Sequence, residues 1–141
     1  MTAVSGCGQY IKERGFIMAE ENLVSTIAKL LYDKKAQDLV ALRIAHLTVL
    51  ADYLVIVSAH NAIQARALCE HLDEHLAQQG IEPRRVEGKN DGTWIVMDSA
   101  SVLVHIFRQD TRAFYRLERL WVDGQNRLAL PVLEQVEVSE A

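Results

Sequence analysis

The fold is decided by a stretch of five consecutive apolar residues at positions 53–57, Tyr53-Leu54-Val55-Ile56-Val57. A strand that is apolar on both faces is typical of the interior of a sheet that is covered on two sides. The preceding segment, residues 38–44, places Val40, Leu42 and Ile44 on one face of a second strand. These two segments predict a sheet with other structure packed against it.

Segments with helical periodicity lie before and after these two strands in the sequence. A 3–4 spacing predicts a first helix from Asn22 onward, with an apolar face made of Leu23, Val24, Ile27, Leu30 and Leu31. A second helix is predicted over residues 61–79, capped by Asn61 and ended by Gly80. Its apolar stripe consists of Ala65, Leu68, Cys69, Leu72 and Leu76.

The second half of the chain predicts a short strand at residues 85–87, then a hairpin formed by residues 93–97 and 102–107. A last helix is predicted to begin at Asp110 or Thr111, to end at Gly124, and to direct inward the side chains of Phe114, Leu117, Leu120 and Trp121. Strands that alternate with helices predict a single α/β domain, with a mixed sheet of about five strands and helices packed on both faces.

The domain is predicted to span residues 22–124, after a flexible N-terminal extension over residues 1–21. Gly6, Gly8 and Gly15 interrupt any periodicity in that extension, which also lacks the apolar core of a secretory signal. Residues 125–141 form a C-terminal tail, for which an added edge strand and a mobile segment are equally compatible with the pattern.

Composition excludes several classes of function. The 15 Lys and Arg residues are outnumbered by 19 Asp and Glu, and the net charge of −4 disfavours non-specific binding of DNA or bulk RNA. No apolar run approaches the roughly 20 residues that cross a bilayer. Cys7 and Cys69 form no CxxC pair, which argues against a zinc site or a disulfide framework and favours a reducing, cytoplasmic setting.

Catalytic and metal-binding motifs are weak. His71 and His75 have the i,i+4 spacing of a metal-binding helix, but lack the glutamate of HExxH and a recommended third ligand. Asp38, Asp52 and Asp98 near strand ends could hold Mg²⁺ in a metal-dependent enzyme, although turn and capping roles fit them better. Neither GxGxxG nor GxxxxGK[ST] occurs, so we predict no cofactor and no metal.

Residues 84–121 combine aromatic and arginine side chains, the residue types that protein interfaces favour. Trp94 and Phe107 lie at strand ends, and Tyr115 follows Phe114 on the last helix. Arginine recurs through the same region, at Arg108, Arg112, Arg116 and Arg119, offset by Asp110 and Glu118. From this pattern alone, an interaction surface and ordinary core packing of the tryptophans are equally supported.

Several segments occur in the order typical of one known family. They include Ala51-Asp52-Tyr53-Leu54-Val55-Ile56, Val86-Glu87-Gly88, Trp94-Ile95-Val96-Met97-Asp98, Val102-Leu103-Val104-His105-Ile106-Phe107 and residues 112–121, RAFYRLERLW. From Leu23 to Asp123 the chain resembles the ribosomal silencing factors, also called Iojap-like proteins. The resemblance implies a nucleotidyltransferase-like fold without that superfamily's catalytic motif, and hence no enzymatic activity.

The function implied by the resemblance is repression of translation under starvation. It implies binding to the large ribosomal subunit through ribosomal protein fourteen on the intersubunit face, which blocks joining of the small subunit. A homodimer is also implied. A nucleotidyltransferase-like or metal-dependent enzyme that uses Asp52 or Asp98 is the alternative, and a dimeric adaptor is a third. The acidic net charge agrees with a basic ribosomal protein as partner, through contacts that salt would weaken.

By position in the family pattern, the partner-binding residues are Trp94, Ile95, Asp98 and Tyr115. Supporting roles are expected for His105, Phe107, Arg112 and Glu118. The chain departs from the family at Ala100 and Ser101, where Gly and Asp are usual, and at Ala59, where Gly is common. A second acidic contact is therefore missing from the predicted surface.

Overall fold

A computed structural model describes residues 13–130, with the side chains of residues 22–130. The strands are β1 (Gln37–Arg43), β2 (Tyr53–Ala59), β3 (Arg85–Glu87), β4 (Trp94–Ser99) and β5 (Val102–Arg108). The helices are α1 (Glu13–Asp33), α2 (Ala62–Gln78), α3 (Gln109–Tyr115) and α4 (Glu118–Trp121). The predicted α/β class and five-stranded mixed sheet are confirmed.

The strand order is β1-β2-β5-β4-β3, in which β2 and β5 run parallel and the other neighbours run antiparallel. Strands β2, β5 and β4 are therefore the inner strands of the sheet, and α2 lies in the connection that follows β2. All seven residues of β2 are buried, as the continuous apolar run predicts.

The first face of the sheet carries the main core. Val55, Val57, Val104 and Ile106 project from β2 and β5 on this face and are fully buried beneath α1 and α2. Both helices contribute the apolar stripes that their periodicity predicts, because Val24, Ile27 and Leu31 of α1 and all five predicted residues of α2 are buried.

The second face is covered only in part. A smaller cluster forms on its β1–β2 half, where Leu117 and Trp121 pack against a buried set made of Leu42, Ile44, Ala51, Leu54, Ile56 and Phe107. Among the described helices, the long α1 and α2 lie on the first face, and the short α3–α4 segment covers part of this one. The β5–β4–β3 half of the second face therefore stays partly open.

Helix α1 begins earlier than predicted. Its backbone is helical from Glu13, so residues 13–21, assigned to the flexible extension, continue the helix instead. A single internal glycine such as Gly15 costs a helix only about 1 kcal/mol, which its neighbours can outweigh. The remainder of the predicted extension lies outside the described residues.

The predicted last helix is in fact two short ones. Arg116 adopts a left-handed φ of 50°, and its N–H donates to the carbonyl of Arg112 at 2.8 Å, which ends α3. Leu117 still reaches the smaller cluster, but the break turns Phe114 and Leu120 outward, where they are 79% and 75% exposed. The prediction that these two side chains face inward is therefore wrong. The predicted cap at Asp110 or Thr111 is also wrong, because α3 begins at Gln109 and has no side-chain cap.

The start of the C-terminal tail lies along the edge of the sheet. The N–H of Arg43 donates to the carbonyl of Asn126 at 2.9 Å, and the N–H of Leu128 donates to that of Ala41 at 2.8 Å. A bridge joins Leu42 to Arg127. Residues 126–128 therefore pair with β1 through one isolated bridge, without forming a regular strand, and residues 131–141 lie outside the described part of the chain.

Candidate protein-docking surface

The open half of the second sheet face carries Trp94 and Asp98, two of the four predicted partner-binding residues. Strand register places Trp94 opposite Phe107, Val96 opposite His105, and Asp98 opposite Leu103. Directly opposed residues project to the same side of a sheet, so this row of side chains forms one surface. Trp94, Val96, Asp98 and Leu103 are each partly exposed, which leaves them available to a partner.

Trp94 is held in place on three sides. Its indole Nε1–H donates to Nδ1 of His105 at 2.9 Å, and its ring stacks on Phe107 with the ring centres 4.8 Å apart and the planes 27° apart. The ring of Tyr115 lies 5.0 Å away on the α3 side. A partly exposed tryptophan that is fixed in this way presents a rigid apolar surface at low entropic cost to binding.

His105 is a neutral acceptor in this arrangement. Burial lowers the pKa of its imidazole to about 4, because a charged ring would lose its hydration in this position. Since Nδ1 accepts the indole proton, the neutral ring carries its own proton on Nε2. The histidine that the sequence indicates is therefore a support for Trp94.

Two aromatic residues of α3 extend the surface beyond the sheet. Tyr115 is 53% exposed, and its ring meets that of Phe114 edge-on at 5.0 Å. Beside them is an open cleft of about 440 Å³, lined by Thr93, Trp94, Asp110, Thr111, Phe114 and Tyr115. Phe114 is the contact candidate that sequence reasoning missed, because helical periodicity directed it to the core.

The charges around the aromatic residues are mutually paired. Arg84 contacts Asp98 at 3.4 Å and Arg85 contacts Glu87 at 3.2 Å on the strand side. On the helix side, Arg108 bonds Asp110 through two nitrogens at 2.7 and 3.0 Å, and this hydrogen bonding holds the pKa of the Asp110 carboxyl below its usual value. The surface thus combines an aromatic centre with a rim of both charge signs.

Gly88 helps to place the start of β4. It adopts a φ of +84°, and a Cβ at this position would lie 2.0 Å from the carbonyl oxygen of Trp94. Any larger residue would therefore displace the strand that carries the tryptophan. The sequence shows this glycine in a turn, but its contact with Trp94 follows only from the tertiary structure.

One predicted contact residue needs correction. Ile95 points to the first face, where it is fully buried in the main core, because neighbouring residues of a strand project to opposite sides. It cannot touch a partner that docks on Trp94. Among the supporting residues, Phe107 lies directly beneath Trp94, whereas Arg112 and Glu118 bond each other at 3.2 Å behind the surface.

The alternative chemical sites do not assemble in the described part of the chain. His71 and His75 are close, with ring centres 4.2 Å apart, but Nδ1 of His75 is bonded to the carbonyl of His71 at 2.9 Å. Burial, followed by the neighbouring His75, lowers the pKa of His71. Across residues 22–130, no three His, Cys, Asp or Glu side chains are grouped so that they could hold a metal ion.

The architecture and the surface together define a class: an α/β domain with an exposed, rigid aromatic cluster of the type enriched at protein interfaces. A family model described as "Ribosomal silencing factor during starvation" matches residues 18–141. The chain belongs to the ribosomal silencing factor family. The match also includes the tail after Gly124, which lies beyond the Leu23–Asp123 segment that carries the motif resemblance.

Individual relatives agree with this assignment. The ribosomal silencing factor RsfS of Halalkalibacterium halodurans is 35% identical over 107 residues, which cover 76% of this chain and 92% of that protein. RsfS of Bacillus subtilis is 30% identical, with coverage of 76% and 91%. A mouse protein named mitochondrial assembly of ribosomal large subunit protein 1 is 27% identical over 70% of this chain and 44% of its own length.

Solved structures share the fold. A crystal structure of a protein from Bacillus halodurans superimposes with a TM-score of 0.69 at 32% identity, covering 78% of this chain and 99% of that one. A protein from Chromobacterium violaceum gives a TM-score of 0.70 at 24% identity, with coverage of 79% and 91%, and shows the fold alone. The relatives are named as silencing factors and not as enzymes. A nucleotidyltransferase-like relationship is not among these findings.

Among the described residues, no helix is both long enough and apolar enough to cross a membrane.

Proposed function

We propose that this protein associates with the large ribosomal subunit in the cytoplasm and represses translation by blocking subunit joining. Its partner on the intersubunit face would be ribosomal protein fourteen. The observation that carries the proposal is the Trp94–Tyr115 cluster, which is partly exposed at the partly open second face of the sheet in a chain of the ribosomal silencing factor family. Sites of this kind act by occupancy, so no catalytic group is required.

The aromatic cluster has the properties of an energetic hot spot. Tryptophan and tyrosine dominate measured hot spots, and a central one contributes about 2–4 kcal/mol to binding. Trp94 is rigid before binding, because His105 and Phe107 hold its ring. Asp98 lies on the same face, four residues along β4 from Trp94, where its charge can orient an approaching basic protein.

Steric exclusion is the proposed mechanism. A domain of 15.9 kDa that occupies part of the intersubunit face would prevent the small subunit from reaching the same area. Repression would then depend on the fraction of large subunits that carry the protein.

The direct test is co-sedimentation of the full-length protein with purified large subunits. Trp94→Ala and Tyr115→Ala should each weaken binding by a factor of about 30 or more, which corresponds to a loss of at least about 2 kcal/mol. The matched control is Leu120→Ala, which removes an apolar side chain of α4 that is 75% exposed, against 53% for Tyr115, and should bind normally. Circular dichroism would establish that each variant is folded.

A second measurement follows subunit joining directly. Wild-type protein should lower the yield of whole ribosomes from separated subunits, and Trp94→Ala should not. Full binding and full repression by folded Trp94→Ala would refute the proposal. If Trp94→Ala instead converts a dimer to a monomer and binding is unaffected, the aromatic surface seals a homodimer and does not contact the ribosome.

A further inference from the structure

Arg112 is a buried arginine that the docking surface itself does not use. Its side chain lies beneath α3, and the residue is only 8% exposed. Nη1 donates to the backbone carbonyl of Asp38 at 2.6 Å and to Oγ of Ser58 at 2.9 Å, while Nε donates to Oε2 of Glu118 at 3.2 Å. One guanidinium therefore connects α3 with β1, β2 and α4.

Burial of a guanidinium is costly unless its donors are paired with good geometry. An apolar residue could fill the same position without that cost, so core packing alone does not account for an arginine here. The fork-shaped guanidinium is the side chain that can reach acceptors in several directions from one place. Among the described residues, Arg112 is the hydrogen-bond partner of the Glu118 carboxylate, whose other oxygen, Oε1, is buried without one.

The same residue also ends the helix that carries Tyr115. The backbone carbonyl of Arg112 accepts the N–H of Arg116, the left-handed residue at which α3 stops. Tyr115 lies between these two positions, and its ring contacts Trp94 with the centres 5.0 Å apart. The side chain of Arg112 thus fixes α3 to the sheet, and its backbone fixes the point where Tyr115 leaves the helix.

We propose that Arg112 is a positioning residue of the docking surface: its buried guanidinium holds α3 and α4 on the sheet so that Tyr115 meets Trp94. The expected effect on ribosome binding rests on the proposed function, whereas the effect on the contact between Tyr115 and Trp94 does not. Arg112 itself touches no partner, because its donors are directed to Asp38, Ser58 and Glu118. Its effect on affinity is transmitted through the placement of Tyr115.

The test follows the indole ¹⁵N–¹H signal of Trp94 in the full-length protein, assigned by comparison with Trp121→Phe. Tyr115→Leu supplies the reference signal for a Trp94 ring that has lost its neighbour. Arg112→Met should move the Trp94 signal toward this reference and should weaken large-subunit binding by at least about tenfold. Arg112→Lys should give nearly the same result, because a single ammonium cannot reproduce the two nitrogens that reach three acceptors.

Arg119→Met is the matched control, since it makes the same chemical change at an exposed position on α4. It should leave both the signal and the binding unchanged. If Arg112→Met does not fold, Ser58→Ala removes one acceptor of the guanidinium and should move the Trp94 signal part of the way.

The inference is overturned if folded Arg112→Met, or Ser58→Ala, leaves the Trp94 signal at its wild-type position. It is also overturned if Arg112→Met loses affinity with no change in that signal, because Arg112 would then act by another route. Failure of the proposed function has a different signature: Trp94→Ala would bind large subunits normally, whatever the Arg112 variants do to the signal.

Discussion

The two faces of β4 differ in what covers them. On the first face, Ile95 and Met97 are completely buried in the main core under the long helices. On the second face, Trp94, Val96 and Asp98 alternate with them and remain partly exposed. One short strand thus contributes to stability with one side and presents a binding surface with the other. Substitutions on the two sides should therefore have separable effects, which four predictions address.

The largest effect is expected on the covered face. Ile95→Ala should lower the free energy of unfolding by about 2–5 kcal/mol, because it leaves a cavity in a closely packed core. Val96→Ala, its neighbour on the open face, should cost less than about 1 kcal/mol because less of its surface is buried. Urea denaturation of both variants measures the difference. Equal losses would mean that the two faces are not distinct in packing.

A pH titration should reveal the support beneath Trp94. The pKa of His105 is lowered from 6.5 to about 4 in the folded protein, so between these values the unfolded chain binds a proton that the folded one does not. Stability is therefore unaffected above pH 6.5 and falls as the pH decreases toward 4, by up to about 3 kcal/mol from this residue.

His105→Gln is the control for that titration, since an amide oxygen can accept the indole proton but does not titrate in this range. The variant should lose most of the decrease in stability between pH 6.5 and 4. If the variant loses as much stability between pH 6.5 and 4 as the wild type, other groups cause the loss, and His105 is not buried in its neutral form.

The turn that joins β4 to β5 leaves room for a stabilising substitution. Ala100, between β4 and β5, has a φ of 51°, a left-handed conformation that costs a residue with a Cβ about 1–2 kcal/mol. Ala100→Gly should relieve this strain and, after the greater entropy of the unfolded glycine chain is subtracted, stabilise the protein by about 0.5–1 kcal/mol. Thermal unfolding measures the gain, and destabilisation would show that the alanine methyl makes a needed contact.

The smallest effect on stability is expected at the charged rim. Asp98 faces Arg84 at 3.4 Å in an ion pair whose arginine is 67% exposed, so Asp98→Asn should change the free energy of unfolding by less than about 0.5 kcal/mol. Under the proposed function it should slow association with large subunits and weaken its dependence on salt. Association rates at two ionic strengths test this, and identical rates for variant and wild type would remove Asp98 from the interface.

The sequence predicts the sheet well because its signals there are local. The apolar run at residues 53–57 and the stripe on α2 each depend on near neighbours, and each appears in the structure. The motifs also lead to Trp94 and Tyr115. Their contact was not predictable, because it depends on residues that are distant in sequence and on the helix break at Arg116.

The errors have the same physical origin. The resemblance predicts Ile95 at the interface because it is next to Trp94 in the family motif. Neighbouring residues of a strand project to opposite faces, so Ile95 is buried on the other side of the sheet. Helical periodicity likewise predicts one helix that continues through Arg116, whereas the left-handed backbone of Arg116 ends α3 there. Arg112 could be identified as a member of the motif, but its buried partners come from three other elements.

The tail segment at residues 126–128 has a consequence for how partners can associate with the sheet. By pairing with β1, it occupies hydrogen-bonding groups on one outer strand. The opposite outer strand, β3, is only three residues long and carries the charged side chains of Arg85 and Glu87. Short, charged or occupied edges oppose the addition of a foreign strand. The architecture therefore favours recognition by side chains on an open face over extension of the sheet, which leaves specificity to the residues that line that face.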